Sequence, residues 1–308
     1  MKKSLLALAA LTAFAGAASA QSSVTLYGRF DPSVARNLGT KDTVMQNGSG
    51  SRFGVRGVED MGGGLQAHFT LEHRFDADDA EQTSGKMWNG RAVTGLQGGF
   101  GKISFGREYA TSFLGSQLQP DPWGWDTVAS SITAAVTGGT IAKVRYDNSV
   151  TYNLDAGGFS LGVQTAVDKT AIGKRPVNMA VGYGVGPFKA TFGYEKPNMT
   201  STKEKVMTGN VMMNFGQFGV SGHVTDGKNA ADAKVRGYLL AGTAQLGAGQ
   251  FRAGFGRLKV ADTTVISAIV AGYHYSLSKR STIYFDYARN SKLAANKWGY
   301  DFGFKHNF

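Results

Sequence analysis

The stretch Trp298-Gly299-Tyr300-Asp301-Phe302-Gly303-Phe304-Lys305-His306-Asn307-Phe308 alternates with period two. Successive side chains of a β-strand point to opposite faces. One face therefore carries Trp298, Tyr300, Phe302, Phe304, His306 and Phe308, and the other Gly299, Asp301, Gly303, Lys305 and Asn307. A strand over the core of a water-soluble sheet rarely needs such a line of aromatics at a chain end, where structure usually frays. A strand with hydrocarbon on one side and water on the other needs it.

The opposite end agrees. Met1-Lys2-Lys3 is a positive start, Leu5 to Ala18 is an apolar run, and Ala18-Ser19-Ala20 is a small-x-small cleavage site. This pattern predicts a secretory signal peptide over residues 1–20, too short to span a membrane. Residues 21–308 remain as one mature domain. No later run reaches the ~20 apolar residues of a membrane helix, so insertion must be by strands.

Composition narrows the class. There is no cysteine, so neither disulfides nor thiol chemistry arise. The chain has 43 glycines but only 6 prolines, unlike collagen or a disordered Pro/Gly tract. The formal charge of +11 is spread along the chain, without a basic run or a nucleic-acid motif, which speaks against nucleic acid as a partner.

From Val24–Val34, Arg52–Glu59 and Leu65–Phe75 through to Trp298–Phe308, the chain reads as 16 short alternating strands. Tight links such as Gly98–Gly101, Asp155–Gly158 and Gly247–Gln250 alternate with longer polar ones such as Ala35–Ser51, Asp76–Gly90 and Asp226–Lys234. Short turns on one rim and long loops on the other are the mark of an outer-membrane barrel. The expected fold is therefore all-β, a 16-stranded antiparallel transmembrane barrel with both termini on the periplasmic side.

One link is exceptional. Tyr109 to Lys143 shows little alternation, yet it contains Phe113, Leu114, Trp123, Trp125, Val128, Ile132 and Val136. A loop this long is usually functional or disordered, and this one is too apolar for disorder. The inner wall of the barrel offers a surface for it, so it should fold inward and narrow the lumen.

Several segments together resemble the trimeric general porins of Gram-negative bacteria, in the β-proteobacterial branch that includes Neisseria, Comamonas and Burkholderia. They are Ser23-Val24-Thr25-Leu26-Tyr27-Gly28, Ser51-Arg52-Phe53-Gly54-Val55-Arg56-Gly57-Val58-Glu59-Asp60, Asp147-Asn148-Ser149-Val150-Thr151-Tyr152, Tyr275-Ser276-Leu277-Ser278-Lys279-Arg280-Ser281 and His306-Asn307-Phe308. The resemblance covers nearly all of residues 21–308. It implies a homotrimer, a third loop folded into each pore, and a place in the outer membrane reached by Sec export through the periplasm. The partners it implies are outer-membrane lipid and lipopolysaccharide, small hydrophilic solutes and inorganic anions. A terminal phenylalanine, here Phe308, resembles the signal read by the barrel-assembly machinery. The third loop lacks the Pro-Glu-Phe-Gly signature of enterobacterial porins, so their constriction geometry does not transfer.

On the face opposite the apolar stripe, the alternation places Arg29, Arg52, Arg56, Arg74, Arg91, Lys102, Arg145, Lys189 and Arg252 inward. It places the acids Asp31, Glu72, Asp147, Glu195 and Asp286 there too, which leaves a net positive lumen. In the resembled branch an arginine cluster facing the third loop sets anion preference. By position the matches are Arg52, Arg74, Arg91 and Arg145, with Arg29, and the opposing acids are Asp121 and Asp126 in the loop.

Catalytic patterns are missing. The histidines His68, His73, His223, His274 and His306 have no paired metal-ligand spacing, and neither GxSxG nor a Walker A sequence occurs. No cofactor or metal is called for. The acidic group Asp76, Asp78, Asp79 and Glu81 lacks calcium-loop spacing. The function that follows is a passive diffusion channel with a preference for anions. A solute-specific anion channel or a surface adhesin on the same barrel are the alternatives.

Overall fold

The structure is a computed structural model describing residues 22–308. The leader expected over residues 1–20 lies outside the described residues. The rest forms one closed antiparallel barrel. Strand β1 runs as Ser23–Phe30 and Pro32–Arg36, and β2 as Val44–Asn47 and Ser51–Gly62. There follow β3 Leu65–Phe75, β4 Arg91–Gly98, β5 Gly101–Tyr109, β6 Arg145–Ala156, β7 Phe159–Ala166 and β8 Val177–Val185. Next come β9 Phe188–Lys196, β10 Lys205–Phe215, β11 Phe218–Lys228 and β12 Lys234–Leu246. β13 Gly249–Val260, β14 Thr263–Ser276, β15 Ser281–Asn290 and β16 Trp298–Asn307 complete the 16 strands. Each pairs with the next, and β16 returns to β1 through Phe302↔Val34, Phe30↔His306 and Arg29↔Asn307. Among the described residues no helix is long and apolar enough to cross a membrane.

The barrel inverts the usual order of a soluble protein. Leu26, Leu240, Phe302 and Phe285 point outward and are 63%, 64%, 55% and 49% exposed, whereas Asp31, Glu195, Asp286 and Asp301 point inward and are fully buried. Period-two alternation along each strand produces both faces at once.

The first hairpin is longer than the sequence suggested. Val44–Asn47 pairs with Pro32–Arg36, inside the stretch read as a link from Ala35 to Ser51. The alternation there is broken at Asp31 on one strand and at Gly48–Gly50 on the other, which hid the pairing. The break is ordered: Gly48 N–H donates to the Asp31 carbonyl at 2.9 Å and Asp31 N–H to Ser51 Oγ at 3.1 Å. Only glycine fits at 48, because a Cβ there would lie 1.5 Å from Tyr284 Oη. A second difference lies between β13 and β14. Ala261 and Asp262, with φ of 46° and 69°, make a tight turn on the rim that otherwise carries the long loops.

The seam closes at Phe308. Its N–H donates to Gly28 O at 3.1 Å and its carbonyl accepts Gly28 N–H at 3.0 Å. Its ring lies over the outer face of Gly28, where a Cβ would come within 2.3 Å of ring carbon Cζ. Deleting Phe308 should therefore reduce the folded, heat-modifiable barrel recovered from the outer membrane while leaving export to the periplasm unchanged. Wild-type recovery from a Phe308 deletion would reduce this residue to lipid-facing packing.

Candidate functional site

The third loop, residues 110–144, lies inside the barrel. A short helical turn at Phe113–Gln117, a helix α1 at Thr127–Ala134 and a second turn at Ala135–Gly139 follow one another along the inner wall. The wall holds them by hydrogen bonds, most of them between buried partners. Asn178 Oδ1 accepts Thr111 N–H and Thr111 Oγ1, each at 2.7 Å. The Ser116 and Thr208 hydroxyls meet at 2.7 Å. Glu195 accepts Lys143 N–H at 2.7 Å, Tyr146 Oη at 2.6 Å and the Ser112 hydroxyl. Trp123 Nε1 donates to Asp286 at 2.7 Å, and Arg252 to the Pro122 carbonyl at 2.7 Å. The gap in the first hairpin serves as a dock as well: Thr127 N–H, at the start of α1, donates to the Gly48 carbonyl at 2.6 Å.

Two apolar patches reinforce this frame. Val128, Ala129 and Ile132 of α1 pack on Ala268, Val270 and Ala288, while Val136 and Ile141 pack on Val206, Val235, Leu239 and Leu258. Gly237 permits the closest approach, since a Cβ there would stand 2.2 Å from the Val136 carbonyl oxygen. The loop thus covers the wall from β7 round to β16. The opposite wall, β1 to β6, stays clear of it over most of its height.

That clear wall carries the arginines. Arg29 and Arg52 are direct cross-strand partners, as are Arg52 and Arg74. Like charges in such register repel, and each guanidinium is held by a neighbour. Arg29 Nη1 lies 3.5 Å from Asp126 Oδ2 and 3.0 Å from Ser49 Oγ, and its Nε donates to Asn307 at 2.9 Å. Arg52 Nε donates to the Gly50 carbonyl at 3.0 Å. Arg74 Nε pairs with Glu72 Oε1 at 3.0 Å, and Arg91 forks onto Glu108, with Nε to Oε1 at 2.8 Å. The Tyr109 hydroxyl accepts from both Arg74 and Arg145, and the Arg145 guanidinium lies 4.1 Å from the centre of its ring. Cation–π contact of this kind stabilises a positive charge without neutralising it. Tyr109 stacks on Phe113 at 5.7 Å, and Phe113 meets Trp125 edge-on at 4.7 Å, so the loop fixes the tyrosine that fixes two arginines.

The structure thus brings Arg29, Arg52, Arg74, Arg91 and Arg145 to one wall, and Asp126 opposite Arg29. It does not bring Asp121 there. Asp121 is buried, and its carboxylate accepts the N–H groups of Trp123 and Trp125, both at 2.9 Å, which ties a turn of the loop. Asp147, read as inward, leaves the lumen and pairs with Arg107 at 2.7 Å and Lys86 at 2.6 Å. Asn148, with φ of 48°, and the register shift between Gly106 and Glu108 displace the alternation by one residue at that point. Glu108 and Tyr109 were not singled out from the sequence as site residues. Their only signal was their place where a strand, ending at Glu108, gives way to the long link that begins at Tyr109. Below the arginines a cavity of about 370 Å³ is lined by Lys102, Lys189, Arg91, Tyr109 and Asn153 among others. Among the described residues no group of His, Asp and Glu is arranged to hold a metal ion.

A family model described as Gram-negative porin matches residues 7–294. The chain belongs to the Gram-negative porin family. It is 33% identical to outer membrane porin protein 32 of Delftia acidovorans over 92% of this chain and 88% of that protein. It is 33% identical to an outer membrane porin of Bordetella pertussis over 66% of this chain and 61% of that one. Among solved structures, an anion-selective porin from Comamonas acidovorans superposes with a TM-score of 0.79 at 24% identity, covering 94% of this chain and all of that one. OmpF of Salmonella typhi follows the same fold, with a TM-score of 0.73 at 15% identity over 92% of this chain and 97% of that one. The porin is thus a diffusion channel of a Gram-negative outer membrane, in a family whose named relatives here come from β-proteobacterial genera.

The anchors of the third loop can be tested one by one. A buried donor left without an acceptor costs roughly 1–3 kcal/mol, and Glu195 serves several. Glu195→Ala should loosen the loop, giving a larger and noisier single-channel current and a lower unfolding temperature. A quiet wild-type current from Glu195→Ala would mean that the remaining contacts hold the loop without it.

Proposed function

We propose that this porin is a passive channel for small hydrophilic solutes with a preference for inorganic anions, and that it works as a homotrimer. The observation that carries the reading is the pair Arg74 and Arg145 held side by side on Tyr109. Along the clear wall and its loop partner, five guanidiniums meet three carboxylates, those of Glu72, Glu108 and Asp126. Two positive charges remain in excess, and among the described residues neither Arg52 nor Arg145 has a carboxylate within salt-bridge distance. Low-dielectric walls focus such a field along the path of a permeating ion. The other inward acids do not offset it at the surface, because Asp31, Glu195 and Asp286 are fully buried. The Comamonas porin of like fold is described as anion-selective, which agrees with this reading.

The trimer reading is supported on the outer wall of β1 to β3. There Phe30, His73 and Phe75 stack, and Phe53 meets both His73 and Trp88 of the second loop. A histidine on an outer wall suits a subunit contact better than hydrocarbon. Delivery by the barrel-assembly machinery and contact with lipopolysaccharide belong to the same proposal.

Replacing Arg74 and Arg145 by Ser leaves three guanidiniums against three carboxylates, so the net excess of two charges is lost. A unit charge at about 4 Å is worth about 1 kcal/mol even in bulk water. The chloride-over-potassium preference should then fall by at least about fivefold, read from the zero-current potential in a KCl gradient. Replacing the exposed loop lysines Lys169 and Lys174 should change it little, because charges in open water are screened over about 8 Å. If the lysine pair moves the potential and the arginine pair does not, the assignment is wrong.

Asp126 adds a pH dependence. Enclosure of its carboxyl pushes it up to about 6, and Arg29, Arg52 and Lys305 act against that rise. Protonation removes a negative charge facing the arginines, so anion preference should increase as pH falls from 7 to 5. Asp126→Asn should hold the preference at its acid value throughout. A slope of opposite sign, or an unaltered slope in Asp126→Asn, would contradict this role.

A further inference from the structure

The wall under the third loop is floored with residues that have little or no side chain. Six inward residues of β7 to β12 are direct cross-strand partners in one unbroken line: Gly162, Ala180, Gly193, Thr208, Thr225 and Gly237. The partners Gly256–Ala268 and Ala288–Gly299 continue the small residues across β13 to β16. The rows on either side are larger. Gln164, Asn178 and Glu195 form the row toward the long loops, again as direct partners. Thr191, Asn210, His223 and Leu239 form the row toward the short turns. The inner wall is therefore a trough, with a low floor between two raised banks.

The loop lies in that trough. The banks hold it by polar side chains: Asn178 accepts from Thr111, Glu195 accepts from Ser112, and Asn210 Nδ2 donates to the Ser116 carbonyl at 3.0 Å. The floor meets it more closely than a methyl group allows. A Cβ at Gly162 would lie 2.8 Å from Thr111 Cβ, one at Gly193 2.7 Å from Ser116 Cβ, and one at Gly237 2.2 Å from the Val136 carbonyl oxygen. Carbon atoms settle at about 3.5–4.0 Å, so a side chain at any of the three would push the loop away from the wall. The two threonines of the line use their hydroxyls on the loop: Thr208 meets Ser116 at 2.7 Å, and Thr225 donates to the Val136 carbonyl at 2.7 Å.

We propose that this trough sets the size limit of the channel. A close-packed contact passes a displacement on instead of absorbing it, and the free side of the loop borders the opening. The depth of the floor, and not only the loop's own sequence, therefore decides how wide the opening is. Gly162, Gly193, Gly237 and Gly256 determine the size of solute that passes, although all four are buried and touch none. The inference rests on the passive-channel reading above, but not on its preference for anions.

The test is a series of single glycine-to-alanine variants ranked by what the new methyl group meets. Gly222→Ala, on the outer face of β11, meets nothing within 4 Å. Gly256→Ala meets only the side-chain ends of Val136 at 3.3 Å and Ile132 at 3.4 Å, Gly162→Ala meets Thr111, and Gly237→Ala meets the loop backbone. Single-channel conductance is recorded in a planar bilayer, with neutral polyethylene glycols of increasing mass to find the largest that still enters. Conductance should be unchanged in Gly222→Ala and fall by about a tenth in Gly256→Ala and about a third in Gly237→Ala, because passage follows pore diameter. The polymer cut-off should fall in the same order. Heat-modifiable migration shows which variants are folded, and Gly256→Ala, which displaces the loop least, decides the outcome if Gly237→Ala does not fold. Wild-type conductance in the folded inward variants, a rise in any of them, or an equal fall in Gly222→Ala would each overturn the proposal. A wild-type zero-current potential of the sign set by potassium would instead contradict the anion preference, and the size series would still be read independently.

Discussion

A sheet that faces hydrocarbon has nowhere to leave an unpaired edge, because each unsatisfied N–H or carbonyl there costs several kcal/mol. Closure of β16 onto β1 is therefore the constraint on which everything else in this porin rests. It is met by the ladder from Val34–Phe302 to Arg29–Asn307 and by the reciprocal bonds of Gly28 with Phe308. Once the ring is closed, alternation sends apolar side chains out and polar ones in. The interior becomes a polar surface on which a loop of mixed character can settle. The gap in the ladder at Asp31 and Gly48–Gly50 is filled by Tyr284, which donates to Asp31 at 2.8 Å, and by the start of α1.

The inward charges divide their tasks by burial. Glu195 and Asp286 are used up as acceptors for the third loop, and Asp31 for the gap in the hairpin. The arginines lie on the wall the loop leaves clear, and the side chains of Arg29, Arg74 and Arg91 keep 25%, 17% and 26% of their exposure. A count of inward acids and bases alone would understate the field, since buried and hydrogen-bonded acids lie behind protein rather than beside the path. The loop therefore does more than obstruct. In the function proposed above, it covers the acidic part of the wall and braces Tyr109 through Phe113, and so sets both the width of the path and the sign of its lining.

Much of this was legible in the sequence because a barrel states its pattern in every strand. The outward line Trp298, Tyr300, Phe302, Phe304 and the inward Arg29, Arg52, Arg74 and Arg91 obey a period of two without interruption. What failed did so where that period slips. Asn148 takes a left-handed backbone and turns Asp147 to the outer side. Gly48 to Gly50 interrupts a strand and concealed four further residues of pairing. Within the loop no period exists, so Asp126 against Arg29 and Asp121 inside a turn could not be told apart. The roles of Tyr109 and Glu108 depend on which residues lie across the barrel, information that spacing along the chain does not carry.

The central claim is that the ion path runs along an arginine wall whose opposing acids are too few or too deeply buried to balance it. The most direct measurement is the zero-current potential of the wild-type channel in a lipid bilayer under a KCl gradient, repeated at low and high mean salt. The account requires a potential of the sign set by chloride, shrinking as salt rises and screening shortens. A potential of the sign set by potassium, or one indifferent to salt, would contradict it.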